Sequence, residues 1–236
     1  MKRLIFGFDL SLNSTGTCVL FLDDINVEKM CFHNLIFDDE THVNDWIPIQ
    51  VPNVNRETYR MPRNFNARDL VIEEPVEDDF NSSYSYNNVR ATLKAMTSVS
   101  KLTKLVLSLI DEHEADEILV NIEGYVTPMM MSKRQASTVQ ELSIMQGLLR
   151  AELIKLSARL PVKIEITPPN VLKRFFTGKG NADKKDMIRV FMNEWGCKRF
   201  IPENTIQKID DVVDAFSLAI NMYHKAYFST TINRSK

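Results

Sequence analysis

Residues 5–21 read IFGFDLSLNSTGTCVLF, and the fold turns on this stretch. An apolar run ends in one carboxylate, a polar turn follows, and a second apolar run returns. Arg3–Asp9, a short apolar run closed by a charge, reads as a buried strand. Thr17–Leu22 reads as the second strand and Val27–Phe37 as the third, joined by a tight Asp23-Asp24 turn, so the opening of the chain is expected to form an antiparallel meander.

Outward from the meander, Asp38–Asn88 changes character. It carries Pro48, Pro52, Pro62 and Pro75, many Asn residues and no sustained period. It reads as an irregular insertion after the third strand. Its acids cluster at Asp38–Glu40, Glu73–Glu74 and Glu77–Asp79, while Trp46, Ile47, Ile49, Val51 and Tyr59 offer an apolar strip. Val89–His113 reads as a helix, because Met96, Val99, Leu102, Leu105, Val106, Leu109 and Ile110 recur at three- and four-residue steps. Glu117–Ile122 is a strand ending at Glu123. Lys133–Leu160 is a long helix with Val139, Leu142, Met145, Leu149 and Leu153 on its apolar side. Val162–Ile166 is a fifth strand. Pro168-Pro169 open a short helix, as proline can in a first turn. Lys184–Trp195 and Lys208–Tyr227 are the last helices. The order β-β-β-α-β-α-β-α with short connections predicts an α/β sheet flanked by helices, one domain over 1–236 with 38–88 inserted in it.

With 236 residues and 44% hydrophobic content, the chain is long enough for a sizeable core. Cys18, Cys31 and Cys197 show no metal-type spacing, and their odd number fits a reducing compartment without a disulfide framework. Met1 leads almost directly into a strand, so no cleaved leader is expected. No apolar stretch reaches the length of a membrane span. Together these point to the cytoplasm. The net charge of −2 gives no hint of a partner, but it hides a local imbalance. Between Lys173 and Arg199 lie Lys173, Arg174, Lys179, Lys184, Lys185, Arg189, Lys198 and Arg199, opposed by Asp183, Asp186 and Glu194 alone.

Four acids carry the chemistry. Asp9 ends the first strand, Glu123 ends the fourth, and Asp211 and Asp214 stand three apart in IDDVVDAFSLAI, sharing a helix face. Asp210 points elsewhere on that helix. Each lies in or beside an apolar segment, where an ionised group is costly unless it is compensated. Ligands of open α/β sheets gather at the carboxyl ends of strands, so parallel neighbours would deliver Asp9 and Glu123 to one crevice. Acids from two strand ends and one helix would form an all-oxygen nest suited to Mg²⁺. Taken singly, each also has a plain structural reading: Asp9 as a turn cap, Glu123 as a strand end in water, Asp211 as a helix N-terminal charge. Glycine is scarce. Gly16 follows the polar turn Ser11–Thr15, and Gly178 and Gly180 mark FTGKGNADKK, a loop that can bring N–H groups to a phosphate or form a simple turn.

The motifs resemble the RuvC group of Holliday junction resolvases, within the RNase H-like nuclease fold. FDLSLNSTG is similar to that group's opening strand and turn, and IEGY to its second motif. TPPNVLKRFFTGKGNADKKDMI follows its pattern of Pro, Val-x-Lys and Gly-x-Gly-x-Ala-x-Lys. DVVDAFSLAI resembles its closing helix. The matches run in order over most of the chain, apart from Asp38–Asn88. The resemblance implies an RNase H-like mixed five-stranded sheet flanked by helices. It implies Asp9, Glu123, Asp211 and Asp214 as catalytic ligands of Mg²⁺ or Mn²⁺, two ions per site, with Lys184 catalytic beside them. It implies Lys173, Arg174, Lys179, Lys184, Lys185 and Tyr125 as DNA contacts. The sequence departs from the family at Leu10-Ser11, where Pro-Gly is common, and Tyr125 lies off the offset at which the family places a wedge aromatic. The neighbouring Met129–Met131 offer a second apolar wedge, or core or dimer packing.

The chemistry suits the residues, since two metal ions ~4 Å apart can serve both ends of an in-line attack on a phosphodiester, with no His or Cys cluster to favour Zn²⁺. The resemblance thus implies a homodimeric, structure-selective endonuclease for four-way junctions. Flaps, other branched DNA and RNA–DNA hybrids are alternative substrates, and a non-cleaving nucleic-acid-binding protein is the alternative from another class. A sugar-kinase or actin-like ATPase would need a second copy of the fold and more phosphate-binding glycines. A short, divergent resolvase with an insertion is compatible with a phage or virus.

Overall fold

The computed structural model describes residues 1–11, 14–36, 83–125, 133–195 and 209–228. Strands β1 (Lys2–Asp9), β2 (Ser14–Asp23) and β3 (Asn26–Ile36) form the expected antiparallel meander. The β2–β3 turn holds Asp24 at φ 56°, a left-handed conformation that Asp tolerates better than most residues. Helix α1 (Ser83–His113) leads to β4 (Glu117–Glu123), which pairs parallel with β1. Helix α2 (Lys133–Lys155) and a 3₁₀ turn over Leu156–Ala158 return the chain to β5 (Val162–Thr167), parallel to β4. Helices α3 (Pro169–Thr177), α4 (Lys184–Asn193) and α5 (Ile209–Tyr227) complete the order. The sheet is five-stranded and mixed, in the order β3-β2-β1-β4-β5.

Three expectations change in detail. Residues 83–88, read as part of the insertion, form the first turns of α1; residues 38–82 lie outside the described residues. Helix α2 stops at Lys155 rather than running to Leu160. Pro161 disfavours the α conformation at Leu160, and Leu156 and Leu160 stay buried through the 3₁₀ turn that replaces the last helical turn. Met96, assigned to the apolar face of α1, is 43% exposed.

Alternation along the strands divides the core. Leu4, Phe6 and Phe8 of β1 and Ile118, Val120 and Ile122 of β4 face a layer made with α1 and α2. Ile5 and Leu119 face the layer of α3, α4 and α5. β1 is the central strand, buried on both faces, which is why its sequence is a nearly unbroken apolar run. The buried thiols of Cys18 and Cys31 sit in opposite layers, one on each side of the sheet.

Two glycines set how closely α5 lies on this sheet. A Cβ at Gly7 would stand 2.1 Å from the Ala215 carbonyl oxygen and 2.6 Å from the Ala219 nitrogen. One at Gly16 would stand 2.2 Å from the Asp211 carbonyl oxygen. The helix backbone therefore rests directly on β1 and β2, an approach that only glycine permits. Among the described residues no helix is long and apolar enough to cross a membrane.

Candidate active site

Asp9 is the last residue of β1 and Glu123 the last of β4. Because Phe8 pairs with Ile122 in parallel register, the two carboxylates leave adjacent strands at the same level. Asp9 also pairs with Gly16, and Gly16 touches the backbone of Asp211. The first turn of α5 is thereby laid over the mouth formed by β1 and β2, with Asp214 one turn further on. A helix N-terminus tolerates the acids placed there, Asp210 and Asp211, because its dipole favours negative charge.

The electrostatics report the convergence. Burial, then the charges of Glu123, Asp214 and Asp211, hold the Asp9 carboxyl well above the usual carboxylate range. Asp9 and Glu123 are hydrogen-bonded to each other, a contact that raises Asp9 and lowers Glu123. Burial also raises Glu123, against the opposing pull of that hydrogen bond and of Lys173 and Lys184. Asp214 is pushed up to about 7 by burial and then by Glu123, with Lys184 and Lys173 opposing. Each of the three keeps a partial opening to solvent but is enclosed by protein on most sides.

The two lysines come from different helices. Lys173 of α3 and Lys184 of α4 both lie close enough to act on Glu123 and Asp214. Lys184 is paired with Asp210, which raises its pKa; in Asp210 the pull of that lysine outweighs the opposing effect of burial. Asp210 thus faces α4, while Asp211 acts on Asp9. Asp183 caps α4 by accepting from the Asp186 N–H at 2.8 Å, which fixes the helix start where Lys184 leaves it. Arg174, Lys179 and Lys185 are exposed on the same α3–α4 hairpin. Lys198, Arg199 and Met129–Met131 lie outside the described residues.

Tyr125, expected as a DNA contact, has a partner within the chain. It is half-buried, and its hydroxyl donates to the Leu142 carbonyl of α2 at 2.9 Å. Burial, with the charges of Glu123 and Asp9 nearby, holds its phenol well above the usual range. The bond ties the end of β4 to α2. Gln146 adds a second tie, its amide donating to the Glu123 carbonyl at 2.9 Å.

Sequence reading also passed over Asn121, Thr167 and Asn221, a buried polar group one step behind the acids. The signal was present: ILVNIE and SLAINMY each place an asparagine inside an apolar segment, where a buried amide needs partners.

Among the described residues no three His, Cys, Asp or Glu side chains are arranged as a metal-ligand cage. Asp9 and Glu123 are in direct contact, and the charges of Asp214 and Asp211 act on Asp9 from α5. The donor set nevertheless fits a hard divalent cation. It is oxygen-only, enclosed and costly to ionise without a compensating positive charge, which a bound cation would supply.

No family model matches the chain. The chain is 28% identical over 152 residues to the crossover junction endodeoxyribonuclease RuvC of Chlamydia caviae, covering 62% of this chain and 80% of that protein. The yeast mitochondrial Holliday junction resolvase Ydc2 superposes with a TM-score of 0.50 at 10% identity, covering 94% of this chain and 80% of the other. Thermus thermophilus RuvC gives a TM-score of 0.45 at 12% identity, over 94% and 95% of the two chains. The chain is thus similar in sequence to a RuvC endonuclease and similar in fold to Ydc2.

Proposed function

We propose that this chain is a RuvC-like, metal-dependent, structure-selective DNA endonuclease that resolves four-way junctions by paired phosphodiester hydrolysis. The observation that carries the reading is the meeting of Asp9, Glu123 and Asp214, from three distant parts of the chain, beside Lys173 and Lys184. The similarity to a crossover junction endodeoxyribonuclease supports it. The reading takes 1–236 as one nuclease domain, with 38–82 as the insertion ahead of α1.

Asp9, Glu123, Asp214 and Asp211 would hold Mg²⁺ or Mn²⁺, two ions in this reading. When bound, the ions supply a water acidic enough to attack phosphorus and charge neutralisation for the departing 3′ oxygen. The chain's own residues do the rest. Lys173 and Lys184 flank the acids and hold a non-bridging phosphate oxygen as point charges. Asp210 accepts from Lys184 and limits where its ammonium can reach. Arg174, Lys179 and Lys185 extend the positive hairpin along the strand. Gln146, through the Glu123 carbonyl, and Tyr125, through Leu142, keep the end of β4 from moving when phosphate enters. Two strands must be cut at opposed positions, so a homodimer is the natural working unit.

The test is cleavage of a synthetic four-way junction with Mg²⁺, alongside flap, linear duplex and RNA–DNA hybrid. Symmetric nicks on the junction alone support the proposal. Preferred cutting of flaps or hybrids assigns the site to another branched or hybrid substrate. Binding without cutting, with Mg²⁺ and Mn²⁺ both present, assigns the chain to a non-cleaving binding role.

A further inference from the structure

The buried group behind the acids does more than satisfy its own polar atoms. Asn121 of β4 donates from Nδ2 to the Leu218 carbonyl of α5 at 3.0 Å, and the same nitrogen lies 3.3 Å from Asn221 Oδ1. Thr167, at the end of β5, donates to Asn121 Oδ1 at 2.8 Å and lies 3.4 Å from Asn221 Oδ1. Three elements therefore meet in one knot, with Asn121 and Thr167 fully buried and Asn221 nearly so.

The placement of the knot matters. Asn121 precedes Glu123 by two residues on a strand, so both point to the α5 side of the sheet. Asn221 follows Asp214 by seven residues on a helix, so the two share a face to within about 20°. Whatever sets the azimuth of Asn221 sets that of Asp214. The close backbone contacts alone do not do this, and the apolar side chains of α5 around them, Val213 and Phe216 among them, make contacts without direction. Gly7 has no side chain to project, and it meets Ala215 and Ala219, so that part of the seam has little relief to stop the helix sliding or turning. A slip of one residue moves a helix about 1.5 Å and turns it about 100°. Such a slip would swing Asp214 away from Glu123. Hydrogen bonds from Asn121 to both a backbone and a side-chain oxygen of α5 can be made in one register alone.

We propose that Asn121 is a positioning residue for the carboxylate site: through Leu218 and Asn221 it fixes the slide and rotation of α5 on β4, and so places Asp214 opposite Glu123. The inference rests on the metal-site reading above. It treats the polar knot as a register key, where apolar side chains of similar size would pack but leave the helix free to shift.

The test compares full-length wild type, Asn121→Leu and Leu109→Ala. Leu109 is buried in the opposite layer and serves as a stability match. Each protein is titrated with Mg²⁺ and Mn²⁺ without DNA, reading the metal-induced rise in melting temperature, and then in single-turnover junction cleavage. In Asn121→Leu the metal midpoint is expected to rise about tenfold in both assays, while Leu109→Ala lowers the melting temperature and leaves the midpoint in place. A second pair guards against a variant that fails to fold. Thr167→Val loses only the hydroxyl and should move the midpoint in the same direction, and Thr167→Ser should restore it. If Asn121→Leu or Thr167→Val melts lower but keeps the wild-type midpoint, the knot is merely structural and the positioning role is overturned. A wild type with neither a metal-induced shift nor cleavage defeats the nuclease reading itself, a separate result from an unmoved midpoint in the variants.

Discussion

The two faces of the sheet are built by different rules. Toward α1 and α2 the strands present Leu4, Phe6, Phe8, Ile118, Val120 and Ile122, and the helices answer with Leu102, Leu105, Leu109, Met145 and Leu149. Toward α5 the same strands present Gly7, Asp9, Asn121 and Glu123 among their apolar residues, and the helix answers with backbone, carboxylates and an amide. The first face is held by area, which tolerates small displacements because apolar contact has no direction. The second also has an apolar core, with Phe176, Phe191 and Phe216 packed in it, but adds close approach and directional bonds, which do not. One side supplies most of the large buried side chains, and the other holds the chemistry in place.

That contrast is sharpest in cleavage. Asp9→Asn or Glu123→Gln should reduce single-turnover cleavage by about three orders of magnitude or more, with junction binding in metal-free buffer retained, since each removes a ligand and spares the basic hairpin. Asp214→Asn should behave likewise, and Asp210→Asn should be milder because Asp210 faces Lys184. On the other face Leu109→Ala should cost about 2–5 kcal/mol in denaturant melts yet keep the cleavage rate of the folded fraction. Full activity in Asp9→Asn would break the comparison at once.

The glycine seam comes next. Gly7→Ala forces a methyl into the Ala215 carbonyl, so α5 must lift; an equilibrium loss of about 3 kcal/mol or more is expected, against well under 1.5 kcal/mol for a volume-conserving swap such as Leu105→Met on the apolar face.

The pH response separates the faces in a third way. Asp214 is raised in the folded state to about 7, above its unfolded value, so its contribution is fully present below about pH 4 and is lost as pH rises through 7. Asp9 is shifted in the same direction. The metal-free protein should therefore melt at progressively lower temperature between roughly pH 4.5 and 7.5, Asp214→Asn should flatten the fall, and saturating Mg²⁺ should oppose it. A flat metal-free profile over that window would contradict the enclosed-acid geometry.

Smaller effects follow at the rim. Lys173→Ala and Lys184→Ala should each lower cleavage and reduce the slope of log affinity against log salt by roughly one unit per lost phosphate contact. If rate and slope are both unchanged, the two lysines are ordinary surface charges. The smallest effect is expected far from the site: Arg159→Ala, which breaks the exposed pair with Asp111, should change stability by less than about 1 kcal/mol and cleavage not at all.

What was legible in the chain follows the same division. The strands, their order and the terminal acids could be read because each combines an apolar run with a charge at its end. The apolar stripes of α1 and α2 could be read from their period, although Met96 falls outside the packed stretch. The start of α1 at Ser83 could not, because Ser83–Asn88 carries no apolar rhythm of helical period. The register of α5 was hidden as well. Gly7 looks like an ordinary interruption in a strand until the helix backbone is laid against it, and Asn121 and Asn221 look like breaks in apolar runs until they are seen to bond each other. Contacts between elements distant in sequence leave no periodic trace in either one.

The central place of β1 has a consequence for how the protein comes into being on the ribosome. β1 is made near the start of the chain, but its neighbour β4 and its cover α5 are made much later. With ~200 residues between Asp9 and Asp214 and synthesis at roughly 5–20 residues per second, the first strand waits on the order of 10–40 s for the helix that covers it. During that interval its inner edge and α5-facing side lack their native cover, and a chaperone has a defined segment to shield. The same delay means that the acids cannot assemble on a partly made chain: the carboxylate site is incomplete until the last described helix docks.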